Sequence, residues 1–380
     1  MTKARDLADL GNKTSLDEIN DAYNAGALSN RNLIINGAMA ISQRNGTSVI
    51  SPAPSGYGSA DRFATYKSGA GTFSIQQSTD SPSGFINSIK ATVTSASTPS
   101  GTNYYHIQHT IEGQNFASLA QGTSDAKTFT LSFYVKSSIT GTFSGSFRDS
   151  TPSISYVFEY TVNSANTWER KTITVDGASS GTFLTDNGAG AYLAFSLGQG
   201  TTYGSSTVGS WHSGNYHGSS SETKFIANAG ATFQITGVQV EVGDTATPFE
   251  HRSFGDELAK CQRYLYAING FGHPSPTAGP YQRWRGTAQN ANEFNWYPQY
   301  PVPMRATPSF SGVNLSGSTI QMFNETAQEG RTFGSFVSAE GGVSEGQVRV
   351  LSTNNIPVGH QGSWRFNGSP NASIFFDAEL

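Results

Sequence analysis

The stretch Phe233-Gln-Ile-Thr-Gly-Val-Gln-Val-Glu-Val-Gly-Asp-Thr-Ala-Thr-Pro-Phe-Glu-His-Arg-Ser-Phe-Gly-Asp-Glu-Leu-Ala-Lys-Cys-Gln-Arg-Tyr264 closes one strand-rich half of the chain and opens another. Phe233 and Ile235 alternate with Gln234 and Thr236, whereas Val238, Val240 and Val242 alternate with Gln239 and Glu241, so the apolar phase slips by one residue at Gly237. A β-bulge there accounts for the slip, because one extra residue keeps the apolar set pointing inward. The strand is predicted to stop at Gly243-Asp244, and Pro248, lacking an N–H, bars central pairing beyond it. Ser253 followed by Asp256 has the form of a capping box. Leu258, Cys261 and Leu265 fall at spacings of three and four, one face of a short helix. A core strand therefore feeds a capped helix that docks elsewhere.

The whole composition agrees with a β reading. The 380 residues include 42 glycines, 12% aromatic residues and only 13% charged ones, where an average globular domain carries roughly a quarter. Such a mixture suits many short strands joined by tight turns and suits long helices poorly. The length allows about two or three domains of roughly 100 to 200 residues.

A net charge of −4 and the absence of any Lys/Arg run argue against nucleic-acid binding. No window approaches the roughly 18 apolar residues of a membrane span, and residues 1–13 lack a signal-peptide core. The expectation is a soluble protein with no membrane insertion and no obvious export signal. The single cysteine, Cys261, lies on the apolar side of the predicted helix and reads as a small buried hydrophobe.

Taken in order, residues 1–30 read as a short helical segment: Leu7 and Leu10, then Ser15-Leu16-Asp17-Glu18 as a second capping box, with Gly26 as a stop. So short a helix needs a partner to bury its stripe. Residues 31–250 read as one β domain with strands recurring at even intervals, an antiparallel sandwich or barrel. Its clearest alternation, Phe129, Leu131, Phe133 and Val135 against Thr130, Ser132 and Tyr134, is expected to form a central strand. Residues 251–266 form the linker helix. Residues 267–380 read as a second β domain, with Asn367-Gly368 predicted to turn a final hairpin. No solenoid-period repeat is evident, which counts against a parallel β-helix.

Three segments carry a family resemblance: Asn32-Leu-Ile-Ile-Asn-Gly-Ala-Met-Ala-Ile-Ser-Gln-Arg44, Ala60-Asp-Arg-Phe63, and Gln239-Val-Glu-Val-Gly-Asp-Thr-Ala-Thr-Pro-Phe-Glu250 with Cys261-Gln-Arg-Tyr264. There the chain resembles bacteriophage and prophage tail fibre and receptor-binding proteins, and Pro301-Val-Pro-Met-Arg-Ala-Thr-Pro308 looks like that group's second-domain strand. The resemblance implies a jelly-roll domain similar to carbohydrate-binding modules, followed by a C-terminal β domain. It also implies a homotrimer, attached to the virion tail or an adaptor protein through its N-terminal helix and made in the host cytoplasm.

Sugar recognition needs flat aromatic faces beside hydrogen-bonding groups. Within the Gly-rich region 177–221, Trp211, His212, Tyr216 and His217 sit among small residues and are the first ligand-binding candidates. Trp284, Trp296 and Tyr297 form the rival cluster. Tyr104 and Tyr105 read as half-buried strand residues, and Trp168 as core. His106 and His109 fall on opposite faces of a strand, which excludes a metal pair and suggests surface or turn histidines. No cofactor and no metal site is expected. Asp149, Glu159, Asp176, Asp186 and Glu241 are scattered carboxylates with no spacing that selects a hydrolytic pair. Asp61 and Arg62 are expected to make a structural ion pair or a turn contact.

These readings converge on a tail fibre subunit that binds a bacterial surface polysaccharide without catalysis. A glycan depolymerase is the enzymatic alternative. A purely structural fibre or head-fibre component is the other.

Overall fold

Thr232–Val242, the strand that begins the junction stretch, occupies the middle of a five-stranded antiparallel sheet in the computed structural model. The order is Thr72–Ser78, Ser88–Ser95, Thr232–Val242, Phe129–Ser137, Glu169–Val175. The structure describes residues 30–269, 284–313, 315–316, 320–331, 333–352, 357–366 and 373–380. The N-terminal helix, Asn30 apart, and the Asn367-Gly368 turn expected from sequence lie outside them.

Gly237 is the predicted bulge: its φ is +62° and the pairing with Phe129–Ser137 skips between Thr236 and Gln239. A Cβ at this position would lie 2.7 Å from the Phe85 ring, so the left-handed backbone and the close ring both require glycine. Beyond the bulge the neighbouring chain changes. Thr232–Ile235 pair with Ser88–Ser95, but Val238 and Val240 are met by the Asn32–Gly37 segment, through Val238 N–H to the Gly37 carbonyl and Leu33 N–H to the Val240 carbonyl, both 2.9 Å. The middle strand of the sheet is thus this one, and Phe129–Ser137 lies beside it as an interior strand, paired on its other side with Glu169–Val175. Its inward residues Phe129, Leu131, Phe133 and Val135 are fully buried, each contributing about 1.5–3 kcal/mol.

A second sheet, seven-stranded among the described residues, runs Gly56–Tyr57, Phe63–Ser68, Tyr104–Glu112, Ala189–Gln199, Gly141–Asp149, Ile154–Val162, Trp211–Ser213. Its inner rows pack on the first sheet across one hydrophobic core. Phe129 meets Phe147 edge to face at 5.0 Å, and Phe133 meets Phe195 likewise at 5.0 Å. This is an antiparallel β-sandwich of jelly-roll type.

The remaining strands build a second β unit. Leu265–Asn269, Ser373–Asp377 and Ser309–Val313 form a three-stranded sheet, and Trp284–Asn290, Glu293–Trp296 and Gln361–Phe366 lie within a larger one. Between them lies a separate core that includes Trp296, Trp364, Val348, Val350 and Phe376. Ser373–Asp377 is not half of a terminal hairpin, because it pairs with Leu265–Asn269 on one side and Ser309–Val313 on the other.

The joint between the two units is held by the residues of the family-like segments. Ser253 Oγ accepts from Asp256 N–H at 3.2 Å and caps the Phe254–Gln262 helix. Cys261 and Tyr264 pack with Ile35 and Ile41, while Leu265 begins a strand instead of continuing the helical face. Arg263 donates to Glu112 at 2.6 and 3.1 Å. Arg62, fully buried with φ +70°, lies 3.6 Å over the Tyr264 ring and pairs with Glu379. Gln43 binds both Asp61 and the Leu265 carbonyl, and Arg44 meets Asp377 at 2.6 Å. Arg305 donates to the carbonyls of Asn187, Ala378 and Glu379. Asp61 and Arg62 are therefore structural, as expected, but they do not pair with each other: Arg62 meets Glu379, 317 residues away, and Asp61 accepts from Gln43. The Asp61 carboxyl is raised to about 6, chiefly because it is buried, with Arg44 opposing.

Candidate functional site

The outer face of the seven-stranded sheet is where polar and aromatic side chains gather. Strand alternation explains this: in Tyr104–Glu112, Tyr105, Ile107 and Ile111 point into the core, which leaves Tyr104, His106, Gln108 and Thr110 outside. Register aligns the neighbours. Tyr66 lies opposite His106, and Thr110, Tyr192 and Arg148 form a row across three strands.

A loop folds over one end of this face. Gly204–Ser205 and Gly218–Ser219 pair in parallel, and His217 N–H donates to the Tyr203 carbonyl at 2.9 Å. These contacts bring the Tyr203 and His217 rings together, stacked at 4.5 Å and 11°. His217 then meets Tyr104 at 5.0 Å and His106 at 4.7 Å, both edge to face. The result is a cavity of about 250 Å³, walled by half-buried Tyr66, Tyr104, Tyr192 and Tyr203, with His106, His217, Gln108, Arg148 and Asn215 as its polar groups.

Electrostatically the lining is unusual. Burial pushes the His106 imidazole well below its ordinary value, with the Arg148 charge adding to the effect. Burial does the same to His217, helped by His106 and Arg148. Both rings are neutral at pH 7 and can accept as well as donate. Arg148 is lowered to about 10, again mainly by burial, and stays cationic. Its Nη1 donates to Asn215 Oδ1 at 3.0 Å and its Nη2 to Gln108 Oε1.

Of the residues singled out from sequence, His217 reaches the cavity. Tyr216 and His212 lie on the same loop and stack on each other at 5.1 Å, with His212 Nε2 2.8 Å from Ser205 Oγ. Trp211 is turned toward the sandwich, against Tyr156 and Phe183, and its Nε1 donates to the Asp176 carbonyl at 2.7 Å. In the second unit Trp296 is 5% exposed and lies in the core, Trp284 stacks on Trp364 at 4.3 Å, and Tyr297 is 52% exposed with its hydroxyl bonded by Gln347. The structure therefore does not gather Trp284, Trp296 and Tyr297 on one surface.

Tyr66, Tyr104, Gln108, Arg148, Tyr192 and Tyr203 were not singled out as ligand-binding from sequence. The signal present was large rings in the solvent phase of alternating strands. His106 and His109 do face opposite sides of the strand, but both are buried, which corrects their reading as surface groups. Trp168 is half-buried just before the Glu169–Val175 strand, bonded to Asp80, and not core. Asp149 accepts from Ser153, Ile154 and Thr182, and Glu241 from Thr247 and Gln239. Among the described residues no three His, Cys, Asp or Glu side chains group as a metal site would require.

No protein-family model matches the chain, and no curated protein matches it. Solved structures with some likeness include the enzymatically active domain of bacteriophage CBA120 tailspike protein 4, at 14% identity and TM-score 0.32. That match covers 57% of this chain and 22% of the tailspike chain. Another is the family 11 carbohydrate-binding module of a Clostridium thermocellum cellulosomal cellulase, at 13% identity and TM-score 0.26, covering 55% of this chain and 99% of the module. A third is a family 61 module in complex with β-1,4-galactotriose, at 10% identity and TM-score 0.27, covering 56% and 99%. Scores this low carry no argument about function.

Proposed function

We propose that the protein binds a carbohydrate, without cleaving it, in the cavity on the outer face of the seven-stranded sheet. The observation that carries this reading is the grouping of four half-buried tyrosines around neutral imidazoles, amides and one guanidinium. Tyrosine faces suit the C–H surface of a pyranose, and amides and imidazoles suit its hydroxyls. The cavity has room for a sugar unit or two, below the roughly 300–1,000 Å³ of drug-sized pockets. Affinity at one such site would be modest.

We extend the reading, on the resemblance of the Asn32–Arg44, Ala60–Phe63 and Gln239–Tyr264 segments, to a tail fibre subunit attached to a virion through its N-terminal segment. As a homotrimer, it would multiply weak contacts by effective concentration. A glycan array with the full chain, compared with Tyr104→Ala and Tyr192→Ala, tests the binding. Loss of a bound glycan in both variants supports the cavity, and unchanged binding overturns it. Release of reducing ends from a bound polysaccharide would favour the depolymerase instead. Light scattering tests the trimer, and a monodisperse monomer would remove it.

A further inference from the structure

We infer that the sugar held in this cavity is acidic, and that Arg148 binds its carboxylate; the inference rests on the glycan-binding reading above. Arg148 is 5% exposed and lines the cavity from the Gly141–Asp149 strand. Its hydrogen bonds go only to neutral amides, those of Asn215 and Gln108, and its Nε is buried without a partner. Among the described residues no carboxylate pairs with it. Other arginines removed from solvent differ: fully buried Arg62 meets Glu379, and partly buried Arg252 meets Glu250 and Glu257.

Nearby carboxylates are otherwise engaged. Asp149, the next residue, turns to the opposite side of the strand and accepts from Ser153, Ile154 and Thr182. Glu222 shares the outer face but accepts from Ser144 and Ser196 and lies 3.6 Å from Lys224. The two imidazoles are neutral and no carboxylate lines the cavity, so the lining carries one positive charge, which Asp149 offsets only through space. A buried cation without a counter-charge is unfavourable, and the Tyr192 ring, 5.4 Å from the guanidinium carbon, offsets only part of that. A guanidinium presents donors in a planar fork that matches a carboxylate's two oxygens. A hexuronic acid or another carboxylated sugar supplies that group together with the ring faces the tyrosines suit.

The test uses the full chain and a panel of bacterial capsular polysaccharides containing hexuronic acid, each beside its carboxyl-reduced form, in which the acid has become a primary alcohol. The expected result is binding of at least one acidic member, weakened roughly 10- to 100-fold by carboxyl reduction. Arg148→Gln should lose as much and cease to distinguish the pair. Arg148→Lys, which keeps the charge but not the fork, should fall between. Acidic and reduced forms bound within twofold of each other would sink the inference and leave the glycan-binding reading standing. Binding of no member in either form would overturn the inference, and the glycan array then decides the glycan-binding reading by itself. Should Arg148→Gln unfold, the comparison of acidic and reduced forms on the unaltered protein still decides.

Discussion

Two groups of rings, one outside the first sandwich and one inside the second unit, look alike in sequence and have opposite fates. Tyr66, Tyr104 and Tyr192 stay half-buried because the sheet already fills the core with the alternate row, Tyr105, Ile107, Leu193 and Phe195, and Tyr203 joins them from the covering loop. In the second unit the strands offer no bulkier alternate row: Phe294 and Trp296 are themselves the inward pair, with Trp364 edge-on to Trp296 in the same core. An aromatic cluster is thus free for a ligand only where another set of side chains has satisfied the core. Density of rings along a sequence says little about this.

The largest effect that would break the comparison is at Trp296. Trp296→Ala should cost about 3–5 kcal/mol of stability in denaturant unfolding, and a loss below about 1 kcal/mol would mean that this cluster is not a core at all. Acid should separate the units next. His106, His109 and His217 all have folded-state values below the ordinary imidazole value of 6.5, burial being the main cause. Below about pH 6.5 the unfolded chain therefore binds protons that the fold excludes, so stability falls as pH drops, by up to about 1.4 kcal/mol per pH unit for each group. Unfolding midpoints from pH 7.5 to 5 should show this slope, and His106→Gln should shallow it; a flat profile would contradict the burial of neutral imidazoles. The smallest effect on stability belongs to Tyr104→Ala, which we expect to shift unfolding by less than about 1.5 kcal/mol, since the ring is only partly buried. The same variant should lower glycan affinity about tenfold, so affinity falls where stability hardly moves.

Much of the fold was legible in the sequence because it rests on local patterns. The phase slip at Gly237 and the Ser253–Asp256 cap are both found where alternation and spacing put them. Strand order was not legible: nothing local to Phe129–Ser137 reveals that Thr232–Val242 inserts beside it at the sheet centre. The candidate site was readable only at His217, which lies in a loop conspicuous for its composition. Tyr66, Tyr104, Arg148 and Tyr192 belong to four different strands, and only the register Tyr66–His106 and Thr110–Tyr192–Arg148 brings them together. The resemblance led elsewhere, because Arg62, Cys261 and Tyr264 serve the joint and Asn32 holds the Thr232–Val242 strand, none of them the cavity.

The pairing of Arg62 with Glu379 spans 317 residues of chain. A ribosome adding about 5–20 residues per second makes the carboxylate on the order of 15 to 60 s after the guanidinium it will neutralise. Until then the carboxylate that pairs with Arg62 is absent, and for the first part of that interval so is the Tyr264 ring that covers it, so this corner of the first sandwich is completed only with the second unit. Premature release of the chain would leave that corner incomplete.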